Sequence, residues 1–183
     1  MSGIVSKNPI GKISGGGGGS IVEFEGSTEL GAPASSVTVT MADATKKKYE
    51  IQMVGEYEGT TSRATNVRIN GLSTAIYDYQ HNRYFSGSSS SNGQAQNATE
   101  ALIDNNGAVA DGDVLAYTIT LMRVVGGWLG TIHGARNITT LSNVTSISSF
   151  FVSDDNNLTS VTVLFSVGNL KTATIKAWGF GES

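Results

Sequence analysis

Six side chains that suit ligand recognition lie close together in YDYQHNRYF, residues 77–85. Aromatic rings stack on the apolar faces of sugars, and neighbouring polar groups hydrogen-bond to hydroxyls. The segment therefore predicts a surface that binds carbohydrate or peptide. The same residue types are also typical of a strand end or of tyrosines packed at a subunit interface. The candidate binding residues are Tyr77, Asp78, Tyr79, His81, Arg83 and Tyr84.

Catalytic chemistry finds little support in the sequence. A catalytic triad or a metal site needs histidine in concert with carboxylates or further ligands. His81 and His133 are the two histidines, and neither has such a motif around it. His133 falls within a strand pattern and is interpreted as structural. The absence of cysteine excludes disulfides, thiolate zinc sites and cysteine nucleophiles.

Acidic residues provide no clear metal site or catalytic pair either. The segment SDDNN, residues 153–157, offers oxygen ligands for calcium, but its spacing does not match an EF-hand loop and instead predicts a polar turn. Paired carboxylates for glycoside hydrolysis need an inward position, and we expect none on a strand. The sequence therefore predicts no catalytic residue, no metal, no cofactor and no enzyme activity.

Charge and hydropathy limit the partners. The formal net charge is −3, whereas non-specific nucleic-acid binding needs a basic surface. No run approaches the ~20 apolar residues of a membrane span, and the first residues lack a signal-peptide core. We therefore expect a protein that folds in a cytoplasm, without nucleic-acid binding or membrane insertion.

Alternation of apolar and polar residues is the main structural signal. In YEIQMVGEYE, residues 49–58, Tyr49, Ile51 and Met53 share one face, and glutamates occupy the other. Similar alternation recurs in SSVTVTM, VLAYTITLM and SVTVLFSV. About nine short strands with almost no helix predict an all-β antiparallel sandwich, jelly-roll-like in type.

Turn signals and aperiodic stretches complete this reading. Asn70–Gly71 and Gly126–Gly127 predict two-residue hairpin turns. SGSSSSNGQAQ, residues 86–96, predicts a flexible loop. NATEALID, residues 97–104, is the one segment that predicts a helical turn.

The first twenty residues are interpreted as an extended assembly arm, and residues 21–183 as the sandwich domain. Gly/Ser runs are flexible tethers by default. Glycine also lets a backbone pass close to a partner, and apolar residues punctuate the segment before the glycines. The proposed contact residues of the arm are Ile4, Val5, Ile10, Ile13, Gly15, Gly16, Gly17, Gly18 and Gly19.

The order of features resembles that of small tailed-bacteriophage virion proteins. The resemblance is carried by EFEGSTELGAPASSVTVTMADATKKKYEIQMVGEYEG, VRINGLSTAIYDYQ, ITTLSNVTSISSFFV and TATIKAWGF. It spans roughly residues 20–180 and is a likeness of pattern, with no signature motif. It implies a β-sandwich displayed on a particle, in the head, tail or fibre, that assembles as a homo-oligomer, often a trimer.

The expected function is thus a non-enzymatic virion structural protein, assembled in the host cytoplasm and docked by its arm to capsid or tail subunits. Capsid decoration or cement is favoured because the chain has one domain and no shaft repeat. The alternative is a module of a tail fibre or baseplate that binds a host receptor or a host-surface glycan through the tyrosine-rich segment.

Deleting Met1–Ser20 is expected to leave a folded sandwich that no longer joins its particle, because the arm supplies the docking contacts. Circular dichroism tests whether the truncated chain folds, and the amount of the truncated chain in purified particles tests whether it is incorporated. Normal incorporation of the truncated protein would contradict the assembly role of the arm.

Overall fold

We describe a computed structural model of residues 21–60, 64–85, 90–105, 110–138 and 142–181. This part of the chain forms strands connected by turns and bends, so the predicted all-β class is confirmed. The residues of the arm, 1–20, lie outside it. The strands are β1 (Ile21–Glu29), β2 (Ser36–Thr40), β3 (Lys48–Glu58), β4 (Ala64–Ile69), β5 (Tyr77–Phe85), β6 (Ser90–Ala98), β7 (Ala101–Asn105), β8 (Val114–Val124), β9 (Gly127–Ile138), β10 (Ser142–Val152), β11 (Ser160–Phe165) and β12 (Asn169–Gly181).

These strands form two antiparallel sheets of unequal width. The large sheet has eight strands in the order β1-β12-β3-β8-β9-β10-β5-β6, and the small sheet has four in the order β2-β11-β4-β7. The inner faces of both sheets contribute to a single hydrophobic cluster. The fold is therefore an antiparallel β-sandwich, as the alternation predicts.

Eight of the strands pair in a nested order. β1 pairs with β12, β2 with β11, β3 with β8 and β4 with β7, all antiparallel. An early segment thus folds back against a late one, and the resulting double ribbon wraps into two four-stranded layers. This wrapping defines a jelly roll.

The remaining four strands are insertions that widen only the large sheet. The hairpin β9–β10 follows β8, and the hairpin β5–β6 pairs with β10 to reach the far edge. Strand β7 of the small sheet packs against β5, β9 and β10. The large sheet consequently extends beyond the small one along β5 and β6.

The predicted strand faces are confirmed in the core. Tyr49, Ile51 and Met53 of β3 are buried, while Gln52 between them is exposed. Tyr57 lies edge-on to Phe165 across the two sheets, with ring centroids 5.2 Å apart. Each fully buried aliphatic or aromatic side chain contributes about 1.5–3 kcal/mol relative to exposure, so these positions dominate the stability of the sandwich.

The two turn predictions have different outcomes. The β8–β9 hairpin forms, with Val124 opposite Gly127, so its loop is Val125–Gly126, one residue earlier than predicted. Asn70 and Gly71 adopt positive φ values of 53° and 67°, as a tight turn requires. Their predicted hairpin is wrong, because β4 belongs to the small sheet and β5 to the large one.

Two local predictions around residues 86–104 are also wrong. The segment expected to be a flexible loop contains strand β6, which pairs antiparallel with β5. Residues 86–89 of that segment lie outside the described part of the chain. The helical turn expected at 97–104 is replaced by the end of β6, a bend and strand β7. Tertiary pairing with β5 and β4 overrides the weak local signals there.

Glycines in β9 make room for aromatic rings on the inner face. A Cβ at Gly130 would lie 2.2 Å from the ring of Phe150 on β10, and one at Gly134 would lie 2.5 Å from the ring of Tyr117 on β8. Neither ring can move without disturbing the core that surrounds it. Alternation of glycine with apolar residues in WLGTIHGAR therefore shapes the inter-sheet packing.

Replacing Gly130 by Ala should lower the free energy of unfolding by about 1–3 kcal/mol, the usual cost of overpacking a core. Gly93→Ala on β6 is the matched control, because a Cβ there meets nothing within 4 Å. Urea unfolding of both variants measures the difference. Equal stability of the two variants would contradict the packing described for β9.

Candidate functional site

The six candidate binding residues do not form one surface. Successive side chains of a strand point to opposite faces, and β5 keeps this alternation. Asp78 and Tyr84 face outward and are exposed, and Tyr84 retains 49% of its accessible surface. The inward-facing members are Tyr77, Tyr79, His81 and Arg83.

Tyr77 has a structural role. Its side chain is fully buried, and its hydroxyl accepts the N–H of Ile69 at 3.0 Å and donates to the carbonyl of Leu72 at 3.1 Å. These bonds hold the turn at Asn70–Gly71 against the large sheet. Burial raises the pKa of Tyr77 to about 12, so the hydroxyl stays protonated as this donor role requires.

His81 and Arg83 join a buried polar cluster between β5, β7, β9 and β10. The guanidinium Nη1 of Arg83 lies 3.6 Å from Oδ1 of Asp104, and Arg136 and Ser146 also interact with that carboxylate. Burial raises the pKa of Asp104, although Arg136 and Arg83 lower it. The cluster holds two guanidinium groups and one carboxylate beneath the outer sheet surface.

His81 is neutral in this setting. Only 2% of its surface is exposed, and burial together with the nearby Arg83 charge lowers its pKa. Its Nε2 atom has no hydrogen-bond partner among the described residues. Burial therefore favours the uncharged form of this histidine, whose side chain points away from the outer surface where a ligand would approach.

The sequence interpretation missed the buried charges Asp104 and Arg136. Arg136 continues the inward positions of Ile132 and Gly134 on β9, so alternation could have placed it. Asp104 follows inward Ile103 directly, because the β4–β7 register shifts between Thr65 and Asn66. A bulge of this kind leaves no signature in the residue order. The expectation of no inward acid on a strand is thus wrong for Asp104 and also for Glu25 on β1, which is 4% exposed.

The SDDNN segment forms an irregular connection with a bend at Asn156, and contacts with its neighbours hold it in place. The Asp154 carboxylate accepts the backbone N–H of Asn156 at 3.1 Å and the side-chain amide of Asn70 at 2.8 Å. Arg123 donates to the carbonyls of Asp155 and Asn156, and its guanidinium lies over the ring of Trp128. The Asp154 carboxylate and the backbone carbonyls of Asp155 and Asn156 therefore have structural roles.

Among the described residues, no group of three or more His, Cys, Asp or Glu side chains is arranged to hold a metal ion. Among the same residues no helix has the length and apolarity needed to cross a membrane. His133 lies on β9 with its side chain exposed on the outer face.

The outer face of the large sheet is the remaining candidate. On β5 and β6 it carries two connected open depressions, of about 520 Å³ and 420 Å³, which share Gln80 and Gln94. On β8, β9 and β10 it carries exposed apolar side chains, among them Met122, Leu129 and Ile147. This face can therefore contact partners, whereas the tyrosine-rich segment as a whole cannot.

The neutral state of His81 predicts a specific pH dependence. As pH falls below the usual histidine pKa of 6.5, the unfolded chain gains a proton before the folded chain does. Wild-type stability then declines by up to about 1.4 kcal/mol per pH unit from this group alone. His81→Gln should remove this share of the decline, measured as unfolding free energy between pH 7.5 and about pH 5. His133→Gln, which alters an exposed histidine, is the control. An unchanged slope in His81→Gln would contradict the buried neutral histidine.

Comparisons with known proteins identify no family. No family model and no curated protein matches this chain. A similar solved structure is the crystal structure of a protein of unknown function from Shewanella oneidensis MR-1, with 8% sequence identity and a TM-score of 0.27. The alignment covers 86% of this chain and 79% of that one.

Proposed function

We propose that this chain is a non-enzymatic bacteriophage virion structural protein, assembled in the host cytoplasm and displayed on the particle surface. Capsid decoration or cement is the favoured position. The N-terminal arm would dock the domain to capsid subunits, and the sandwich would associate with further copies as a homo-oligomer, such as a trimer.

The architecture and the sequence pattern support this class of function. Double-sheet jelly rolls are common in viral capsid and lectin domains. The segments that carry the pattern resemblance to tailed-phage virion proteins fall on strands of both sheets, among them β1, β2, β3 and β12 of the nested pairs. Neither argument depends on a catalytic group.

The observation that carries the proposal is the absence of charge on the outer face of β8, β9 and β10. None of the outward side chains described on these strands is Asp, Glu, Lys or Arg. They are Val114, Ala116, Thr118, Thr120, Met122 and Val124 of β8, Leu129, Thr131, His133, Ala135 and Asn137 of β9, and Thr145, Ile147, Ser149 and Phe151 of β10.

Such a face is suited to contact with another protein. The cores of protein interfaces are depleted in charged residues, and contiguous exposed apolar patches mark interaction sites. The same sheet carries outward charges on β3 and β12, such as Lys48, Glu50 and Lys176. The described outward side chains of β8, β9 and β10 thus lie between charged strands and carry no charge themselves, so a contact there avoids the desolvation cost that buried charges impose.

The alternative is a receptor-binding module of a tail fibre or baseplate. The observation that favours it is the pair of depressions on β5 and β6, whose lining is rich in side-chain amides. In this case the sandwich would present the β5–β6 hairpin to the host surface and use the arm to attach to tail subunits.

The copy number of this chain in purified particles tests the proposal. Quantitative mass spectrometry against the major capsid protein should give hundreds of copies for a decoration protein, because such proteins follow the capsid lattice. A handful to a few dozen copies would favour the tail alternative. Absence from purified particles would contradict both positions.

A further inference from the structure

Strand β6 contributes no buried side chain to the hydrophobic core. None of its nine residues is buried, and its sequence SSNGQAQNA consists of small and amide side chains. Asparagine and glycine are unfavourable in strands. The strand lies at the edge of the large sheet, where it adds a polar surface and little packing energy.

The outward side chains of β5 and β6 form two direct cross-strand amide pairs. Gln80 lies opposite Gln94, and Asn82 lies opposite Asn92. Directly opposite residues have Cβ atoms about 4.5–5.5 Å apart, so the four carboxamides form a compact group. They border the 420 Å³ depression, and no hydrogen bond among the described residues occupies their side chains.

The larger depression continues this groove toward β9 and β10. It shares Gln80 and Gln94 with the first and adds Gln96, Leu129 and Phe151 to the lining. Phe151 lies opposite both Asp78 on β5 and Leu129 on β9. Exposed Tyr84 lies at the other end of the β5 face, about 20 Å away along the strand.

The groove is almost free of charge. Asp78 is the one acidic side chain among the described residues that line the two depressions, and the side chains of Tyr79 and His81 point inward. The Asp78 carboxylate accepts the backbone N–H of Asn97 at 2.9 Å. Phosphate and carboxylate ligands are recognised by arginine and lysine, and neither residue lines the groove.

We propose that the outer face of the β5–β6 hairpin binds a neutral oligosaccharide. A carboxamide both donates and accepts hydrogen bonds, so the four amides can pair with the hydroxyls of a sugar. The rings of Phe151 and Tyr84 can contact the apolar faces of sugar units at the two ends. This inference does not depend on the virion role proposed above, since any displayed domain could carry the groove.

The proposed site changes the residue set taken from the sequence. Asp78 and Tyr84 remain, whereas the other four lie on the opposite face of β5, namely Tyr77, Tyr79, His81 and Arg83. The amides Asn92 and Gln94 come from the segment that the sequence predicts to be a loop. Pairing of β5 with β6 brings the two sets together.

The test uses the full chain on an array of neutral and acidic bacterial surface polysaccharides, followed by isothermal titration with the strongest neutral ligand. Gln80→Ala and Gln94→Ala should each weaken binding by about tenfold or more, as expected when a polar contact to a ligand is lost. Both side chains are exposed, so thermal unfolding should not change. Gln52→Ala, at an exposed position on the outer face of β3, is the matched control and should bind as the wild type does.

Three results would overturn the proposal: no binding to any neutral polysaccharide, binding to acidic polysaccharides alone, or wild-type affinity in both glutamine variants. Because the variants leave β8, β9 and β10 intact, their failure to affect binding would not bear on the assembly surface. Conversely, a wild-type chain that binds the sugar but is absent from purified particles would contradict only the virion proposal.

Discussion

The nested pairing of early with late strands is the constraint on which the rest of the structure depends. β1 is held by β12 and β2 by β11, so residues from the two ends of the domain must meet before either sheet is complete. Loop closure over such distances costs entropy before the contacts form. The buried alternating faces supply the compensating free energy, and they do so only in one register, because a shift by one residue would turn every apolar side chain outward.

This constraint determines where the surface features lie. β8 is the outermost strand of the nested set in the large sheet, so the hairpin β9–β10 and then β5–β6 extend the sheet from there. The inner side of the extension, where the small sheet ends, contains the polar cluster of His81, Arg83, Asp104 and Arg136. Its outer side carries a charge-free region and, next to it, the amide groove. Assembly and ligand recognition would thus use neighbouring parts of one sheet face, which meet at Leu129, Ser149 and Phe151.

The sequence predicts the parts of the fold that depend on local periodicity. The faces of Tyr49, Ile51 and Met53 follow from alternation, and a tight turn follows from Asn70–Gly71. Sheet membership does not follow, since a turn with the same φ values can connect strands of different sheets. Strand β6 lacks an apolar periodicity. It forms by pairing with β5, and no residue in the segment itself indicates that pairing.

The candidate site is less predictable than the fold. Clustering of Tyr77 to Tyr84 in the sequence indicates recognition chemistry, but alternation along β5 divides the cluster between the core and the surface. The amides that line the groove come from two strands and become neighbours only through their register. Asp104 turns inward at a bulge, which is a tertiary feature. In each case the position of the residue depends on which strand pairs with its own, and the sequence does not specify that partner.

The mass of the full chain in solution tests the assembly surface most directly. Sedimentation equilibrium should give a multiple of the chain mass for the wild type and the monomer mass for Ile147→Glu, which places a charge at the centre of the neutral face. Ser73→Glu, at an exposed position in the loop before β5, is the control and should remain oligomeric. A wild-type monomer at micromolar concentration, or an unchanged oligomer in Ile147→Glu, would contradict the account.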